Sequence, residues 1–163
     1  MITEHTVIAL KQAISRIEEH RKDFHHVLEI EMINDPRLSD EQLLALKKNR
    51  FNHSEVEILS LVNQKTELPY KTLTTQVTFS QGMLSRYITK LLKASLLTKV
   101  TLPDNKKAYN LKITATGAIL ADLHDQLHVK ERKLYAAALA QFSEQDVATV
   151  LAVLKAVGEV RLD

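Results

Sequence analysis

The chain contains no cysteine and no tryptophan. The first absence excludes disulfides, thiolate metal ligands and cysteine nucleophiles, and is compatible with a cytoplasmic location. Glycine and proline are scarce, with three of each, and Pro36, Pro69, Pro103, Gly82, Gly117 and Gly158 fall mostly between segments of regular apolar spacing. So few punctuating residues, in a chain rich in Leu, Ala, Lys and Glu, indicate a mainly helical protein. There is no glycine-rich phosphate loop and no nucleophile elbow, which removes the commonest nucleotide and acyl-transfer chemistries. No apolar run approaches the ~20 residues that span a bilayer. Met1 to Leu10 lacks the basic start and apolar stretch of a signal peptide. The length suits one compact domain, 1–163, with helical extensions for oligomerisation.

What is present centres on Thr72 to Leu97. A short periodic segment carrying Leu73 and Val77 breaks at Thr78 and Phe79, and a longer one opens at Ser80. In it Leu84, Ile88, Leu91, Leu92 and Leu96 recur at helical spacing and define a face to be buried. The opposite face carries Gln81, Ser85, Arg86, Thr89, Lys90 and Lys93, none of them acidic. Taken alone, this fits an ordinary amphipathic helix with a solvated basic face as well as the second helix of a helix-turn-helix.

The residues that follow favour the second reading. Val100 and Leu102 alternate with Lys99 and Thr101; after Pro103, Asp104, Asn105, Lys106 and Lys107, a second alternation sets Tyr109, Leu111 and Ile113 against Asn110 and Lys112. Two period-two runs around a Pro-Asp-Asn turn predict a β-hairpin with a basic tip, and a helix-turn-helix followed at once by such a hairpin is a winged helix. From Lys71 to Lys107 the cations are Lys71, Arg86, Lys90, Lys93, Lys99, Lys106 and Lys107, with Asp104 opposing them. The whole chain has a formal charge of only +2, so the remainder is net acidic. That segregation is an electrostatic footprint for phosphate, with affinity that falls as salt rises.

On either side of this head the pattern predicts helices. One long helix is expected from Glu4 to Ile33, with Val7, Ile14 and Leu28 on one seven-residue series and Leu10, Ile17 and Phe24 on another. So narrow a stripe suits a helix–helix seam. Ser39 with Gln42 reads as a capping box for a short helix, and Asn52 or Ser54 as the cap of the next, where Val56, Leu59 and Val62 point inward. Gln64 to Pro69 reads as a loop. Thr114 or Thr116 can cap a long helix to about Gln141, with Ile119, Leu123, Leu127 and Leu134 as its apolar side and Ala136 to Ala138 as a small-residue patch. Ser143 with Asp146 starts a last helix facing Val147, Val150, Leu151, Leu154 and Val157 one way. The expected organisation is a winged-helix part at about 52–114 and a helical dimerisation part at about 1–34 and 115–163. A symmetric dimer would present two recognition helices roughly 34–36 Å apart to a pseudo-palindromic duplex.

This arrangement resembles the MarR family of bacterial transcription regulators over nearly the whole chain. The resemblance rests on the pattern from Leu73 to Leu97, especially Ser80, Arg86 and the Leu91/Leu96/Leu97 ending, and on a wing closing at Ile113-Thr114 with Gly117 after it. It implies a homodimeric winged helix, more commonly a repressor, with the recognition helix in the major groove and the wing at the minor groove. Ser80, Gln81, Ser85, Arg86, Thr89 and Lys90 become the expected DNA contacts on the helix, and Lys106 and Lys107 those on the wing. The family's wing usually carries Asp-x-Arg; Asn105, Lys106 and Lys107 stand there instead, without the planar Arg fork. Ser95 stands where glycine is usual at the helix end.

His124 and His128, four apart on one expected helix, share a face and could share a metal. They resemble the helix ligands of the family's zinc-responsive AdcR/ZitR branch. That resemblance adds His26, where the branch has a glutamate, and Glu57, where it has a histidine, and so implies a set of His26, Glu57, His124 and His128. Three imidazoles and one carboxylate suit Zn²⁺ and could take Ni²⁺, Co²⁺ or Mn²⁺. His20 and His53 read as surface or capping residues, and His25 and Glu29 as spare candidates. The alternative effector is a small phenolic or lipophilic ligand in a crevice lined by His26 and His124. The run from His124 to His128 departs from a zinc-protease pattern at Asp125, too short to replace a glutamate base, so no enzyme is expected. A helical interaction module that does not bind DNA is the remaining rival.

Overall fold

The computed structural model describes residues 2–22, 24–102 and 105–161, without the side chains of residues 20–22 and 105–107. The expected first helix is found as α1 (Glu4–Lys22) and α2 (Phe24–Asn34) on either side of residue 23, which lies outside the described residues. Then come α3 (Asp40–Asn49), α4 (His53–Asn63), β1 (Glu67–Pro69), α5 (Tyr70–Gln76), α6 (Gln81–Lys93), β2 (Leu97–Leu102), β3 (Asn105–Ile113), α7 (Ala115–Leu139) and α8 (Glu144–Gly158). Two contact units are distinguished, Met1–Asp125 and Gln126–Asp163, with the boundary inside α7. Among the described residues no helix is long and apolar enough to cross a membrane.

Local chemistry sets the helix starts. Ser39 and Gln42 form a reciprocal capping box on α3, and Asn52 and Glu55 do the same on α4. Each box satisfies two amide donors that the first turn would otherwise leave unpaired. The core of the first unit is aliphatic. Val56, Ile58, Leu59 and Val62 of α4, Leu73 of α5, Leu84, Ile88 and Leu91 of α6, then Leu96, Leu97, Leu111 and Leu120 are all at most 2 % exposed. Burial of one such side chain is worth about 1.5–3 kcal/mol, so the helix-turn-helix pattern is also the main source of cohesion.

The wing is a three-stranded antiparallel sheet in the order β1-β3-β2. The segment Gln64–Pro69, expected as a loop, therefore contributes a strand, with Leu68 opposite Leu111. Three residues are too short for a periodicity signal; β3 supplies the partner that defines them. Thr66, at φ 63°, turns the chain in and its carbonyl accepts from the Ile113 amide at 3.0 Å. β2 and β3 pair from Leu97↔Ile113 to Leu102↔Asn105, with an irregularity at Thr101/Leu102. Asn105, Lys106 and Lys107, read as part of the turn, belong to the start of β3. The turn residues Pro103 and Asp104 lie outside the described residues.

In the second unit Ser143 and Asp146 cap α8 with a further capping box. Leu134, Tyr135, Leu139, Phe142, Val150, Leu151 and Val157 are exposed in the single chain. Leu134, expected on the buried side of α7, is 64 % exposed, whereas Leu123 and Leu127 are buried. Two helices alone cannot cover their own apolar faces.

Candidate nucleic-acid interface and histidine cluster

Helix α6 is held in place from its buried side. Leu84, Ile88 and Leu91 enter the core, and the Ser80 hydroxyl caps the helix by accepting from the Met83 amide at 3.3 Å. At the far end the helix closes in a Schellman motif: the Leu96 amide donates to the Leu91 carbonyl and the Ser95 amide to that of Leu92, both at 3.0 Å. The reversal requires Ser95 to adopt a left-handed conformation, φ 56°.

The outward side is polar. Ser80, Gln81, Gly82, Ser85, Arg86, Thr89 and Lys93 are exposed. The Thr89 hydroxyl donates back to the Ser85 carbonyl at 2.8 Å. Among the described residues Lys71, Lys99 and Lys112 are further exposed cations on the same head. Lys99 has its ammonium 3.9 Å from the centroid of the Tyr109 ring. That ring lies 5.2 Å from Tyr70, and burial, then the neighbouring Tyr70, push the Tyr109 phenol above its ordinary range. The side chains of Lys106 and Lys107 lie outside the described residues.

Lys90 departs from the expectation of a DNA contact. Its ammonium donates to Glu55 Oε2 at 2.8 Å and to the Arg50 carbonyl at 3.1 Å, and it stands 5.0 Å from the Phe51 ring centroid. The side chain is drawn inward because Glu55, needed at the α4 cap, is itself only 2 % exposed, and a buried carboxylate requires a partner.

The expected metal set is only partly brought together. His124, 3 % exposed, packs with its ring 5.0 Å from that of His53 and 5.4 Å from that of Phe24. Its Nδ1 lies 3.1 Å from Ser60 Oγ and 3.2 Å from Asp125 Oδ1. His128 follows one turn later on the same continuous helix, with Nδ1 3.2 Å from Glu131 Oε2. A candidate ligand group forms around His53 and His124, whose ligand atoms lie within 4.8 Å of each other. His26 and Glu57 are exposed and are not in this group. His53, read from sequence as a surface or capping residue, takes the place by which Glu57 was expected to join. The two are four apart on α4; His124 is met from α4 by His53 and by Ser60, while Glu57 between them is exposed. The spacing of His53 and Glu57 was the only sequence signal for this.

His26 instead lines a crevice of about 670 Å³ with His25, Leu28, Met32, Phe51 and Arg50 among its walls. His124 is not among the lining residues.

With the geometry in place, comparison with known proteins is decisive. The sequence model of the MarR family matches residues 51–109. A relative in Bacillus subtilis strain 168, the uncharacterized HTH-type transcriptional regulator YvnA, is 31 % identical over 107 residues, covering 66 % of this chain and 68 % of that one. The chain belongs to the MarR family. It is therefore a winged-helix transcriptional regulator and not an enzyme, of a family whose members bind double-stranded DNA as dimers.

Solved structures share the fold. A mutant MarR from E. coli complexed with operator DNA superposes with a TM-score of 0.55 at 17 % identity, covering 96 % of this chain and 99 % of that one. The adhesin competence repressor AdcR from Streptococcus pyogenes gives 0.61 at 20 % identity, covering 69 % and 81 %.

Proposed function

We propose that this MarR-family protein is a cytoplasmic repressor whose homodimer binds a pseudo-palindromic operator, and whose DNA binding responds to zinc. α6 would lie in the major groove, with Ser80, Gln81, Ser85, Arg86 and Thr89 toward base edges and phosphates, and Lys106 and Lys107 would reach the minor groove. The exposed apolar side chains of α1, α7 and α8 are what a dimer seam would cover.

The observation that supports the zinc response is the meeting of His53 of α4 with His124 of α7, their rings 5.0 Å apart, with His128 one turn further along α7 as the third imidazole. The donor set fits. Neutral nitrogen ligands suit Zn²⁺, and a fourth position can be filled by water or a carboxylate. His124 and His128 each place Nδ1 against an oxygen, as metal-ligating histidines commonly do when the other nitrogen binds the ion. Neighbouring ligand atoms of a tetrahedral zinc site stand roughly 3.3 Å apart, so a bound ion would draw any wider gap between the imidazoles closed. Closing it would bias the angle between α4 and α7, which is how a metal can favour one arrangement of a reading head. Ligation needs neutral imidazoles, so zinc binding should weaken as pH falls.

Calorimetric titration of zinc into chelator-stripped protein, beside a His124→Ala/His128→Ala variant, tests this reading. Tight binding near one ion per chain, lost in the variant, supports it; no binding, or binding indifferent to the change, excludes it. The crevice supports a second reading, a small phenolic or lipophilic effector. Its volume of about 670 Å³ suits such a ligand, with Leu28, Met32 and Phe51 as apolar wall and Lys47 and Arg50 as cations for an acidic group.

A further inference from the structure

Lys90 lies on the recognition helix, yet three anchors hold it: the Glu55 carboxylate at 2.8 Å, the Arg50 carbonyl at 3.1 Å and the face of Phe51 at 5.0 Å. Each anchor has its own reason to be rigid. Glu55 is buried and also accepts from the Asn52 amide at 2.8 Å through the same Oε2, so its carboxylate is fixed to the start of α4. Arg50 ends α3 in a left-handed conformation, φ 43°, which fixes the direction of its carbonyl. Phe51 is 6 % exposed. One ammonium therefore ties α6 to the end of α3 and the start of α4, on the flank of the helix between its core face and its outward face.

We propose that Lys90 is a positioning residue for DNA recognition and not a phosphate contact: the Glu55–Lys90 pair sets the roll of α6, and through it the aim of Gln81, Ser85 and Arg86. Leu84, Ile88 and Leu91 permit small rolling motions because aliphatic contacts are non-directional. A charge-assisted hydrogen bond between a buried carboxylate and a side chain on the helix flank is directional and opposes such motion. The pair costs desolvation of the carboxylate and gains little stability over an apolar pair; what it supplies is a defined orientation. Base readout depends on that orientation, whereas non-specific attraction to phosphate does not.

The test compares two duplexes: one selected by the wild-type protein from a random-sequence pool, and one unselected. Their affinities and salt slopes are measured for Lys90→Met, Lys90→Arg, Glu55→Gln and the Glu55→Gln/Lys90→Met double variant. Glutamine keeps the capping box, so Glu55→Gln carries the test by itself should Lys90→Met fail to fold. The expected result is a loss of roughly tenfold in the ratio of selected to unselected affinity for Lys90→Met and Glu55→Gln, with the double variant no worse. Lys90→Arg should retain most of the ratio, and the salt slope should stay at the wild-type value throughout.

Several outcomes overturn the proposal. A slope reduced by about 0.9 in Lys90→Met would make Lys90 a phosphate contact. Equal weakening on both duplexes would mean that the pair serves only folding. Stronger binding to both duplexes in Glu55→Gln would make Glu55 a mask over a phosphate-binding lysine. An unchanged ratio in every variant would leave the pair without a part in recognition.

Discussion

The carbonyl oxygen of Leu96 occupies the space that a β-carbon on Gly117 would need. Around it the Thr114 hydroxyl shares its one proton between this carbonyl at 3.1 Å and that of Ser95 at 2.9 Å, and accepts from the Gly117 amide at 3.1 Å, so the cap of α7 sits directly against the end of α6. The obstacle is backbone and cannot swing aside. Gly117→Ala should therefore destabilise the protein by about 1–3 kcal/mol or more, read as a lower urea midpoint. A midpoint within error of wild type would show that the two helices can separate without cost.

Ser95 offers the opposite case. It holds φ 56° at the position after the α6 cap, where a side chain is strained and glycine is not. Its bonds there are backbone: the amide donates to Leu92, and the carbonyl accepts from the Thr114 hydroxyl at 2.9 Å. Ser95→Gly should leave these in place and stabilise the fold by up to about 1 kcal/mol, visible as a higher urea midpoint with unchanged slope.

Arg86 and Leu84 lie two residues apart on α6 with opposite fates, one exposed and one fully buried. Arg86→Ala should weaken binding to a selected duplex by about 1–3 kcal/mol while leaving the unfolding midpoint near wild type. Leu84→Ala should cost about 2–5 kcal/mol of stability, detected by urea unfolding. Full affinity in Arg86→Ala would displace α6 from the role of recognition helix.

The histidine cluster makes the metal set testable residue by residue. His53→Ala should lower zinc affinity roughly 10-fold or more, whereas His26→Ala and Glu57→Gln should leave it near wild type. Competition titration with a chromogenic chelator measures all three. The reverse pattern would restore the set implied by family resemblance and remove His53.

Acid stability should depend on Asp35. Hydrogen bonds from the Arg37 guanidinium at 2.6–3.1 Å hold the Asp35 carboxyl below its ordinary range, against an opposing effect of burial. A carboxyl whose folded pKa lies below its unfolded value of about 3.9 contributes stability above that value and loses it as pH falls through the folded one. Asp35→Asn should accordingly lower the urea midpoint at neutral pH and flatten its decline on acidification below about pH 4. An acid limb of unchanged steepness would remove the Asp35–Arg37 pair from acid unfolding.

The sequence by itself determined the helix-turn-helix, the wing, the capping boxes at Ser39 and Ser143, and the family. Each of these is local: a side chain caps its own helix, and apolar periodicity marks its own buried face. Three features were decided by tertiary structure alone. β1 exists because β3 pairs with it. Lys90 turns inward because Glu55, thirty-five positions earlier in the chain, is buried beneath α6. His53 meets His124 because of where α4 crosses α7. Periodicity tells which face of a helix is buried; which turn of one helix meets which turn of another depends on crossing geometry and packing among several elements, and a single chain pattern carries no record of that.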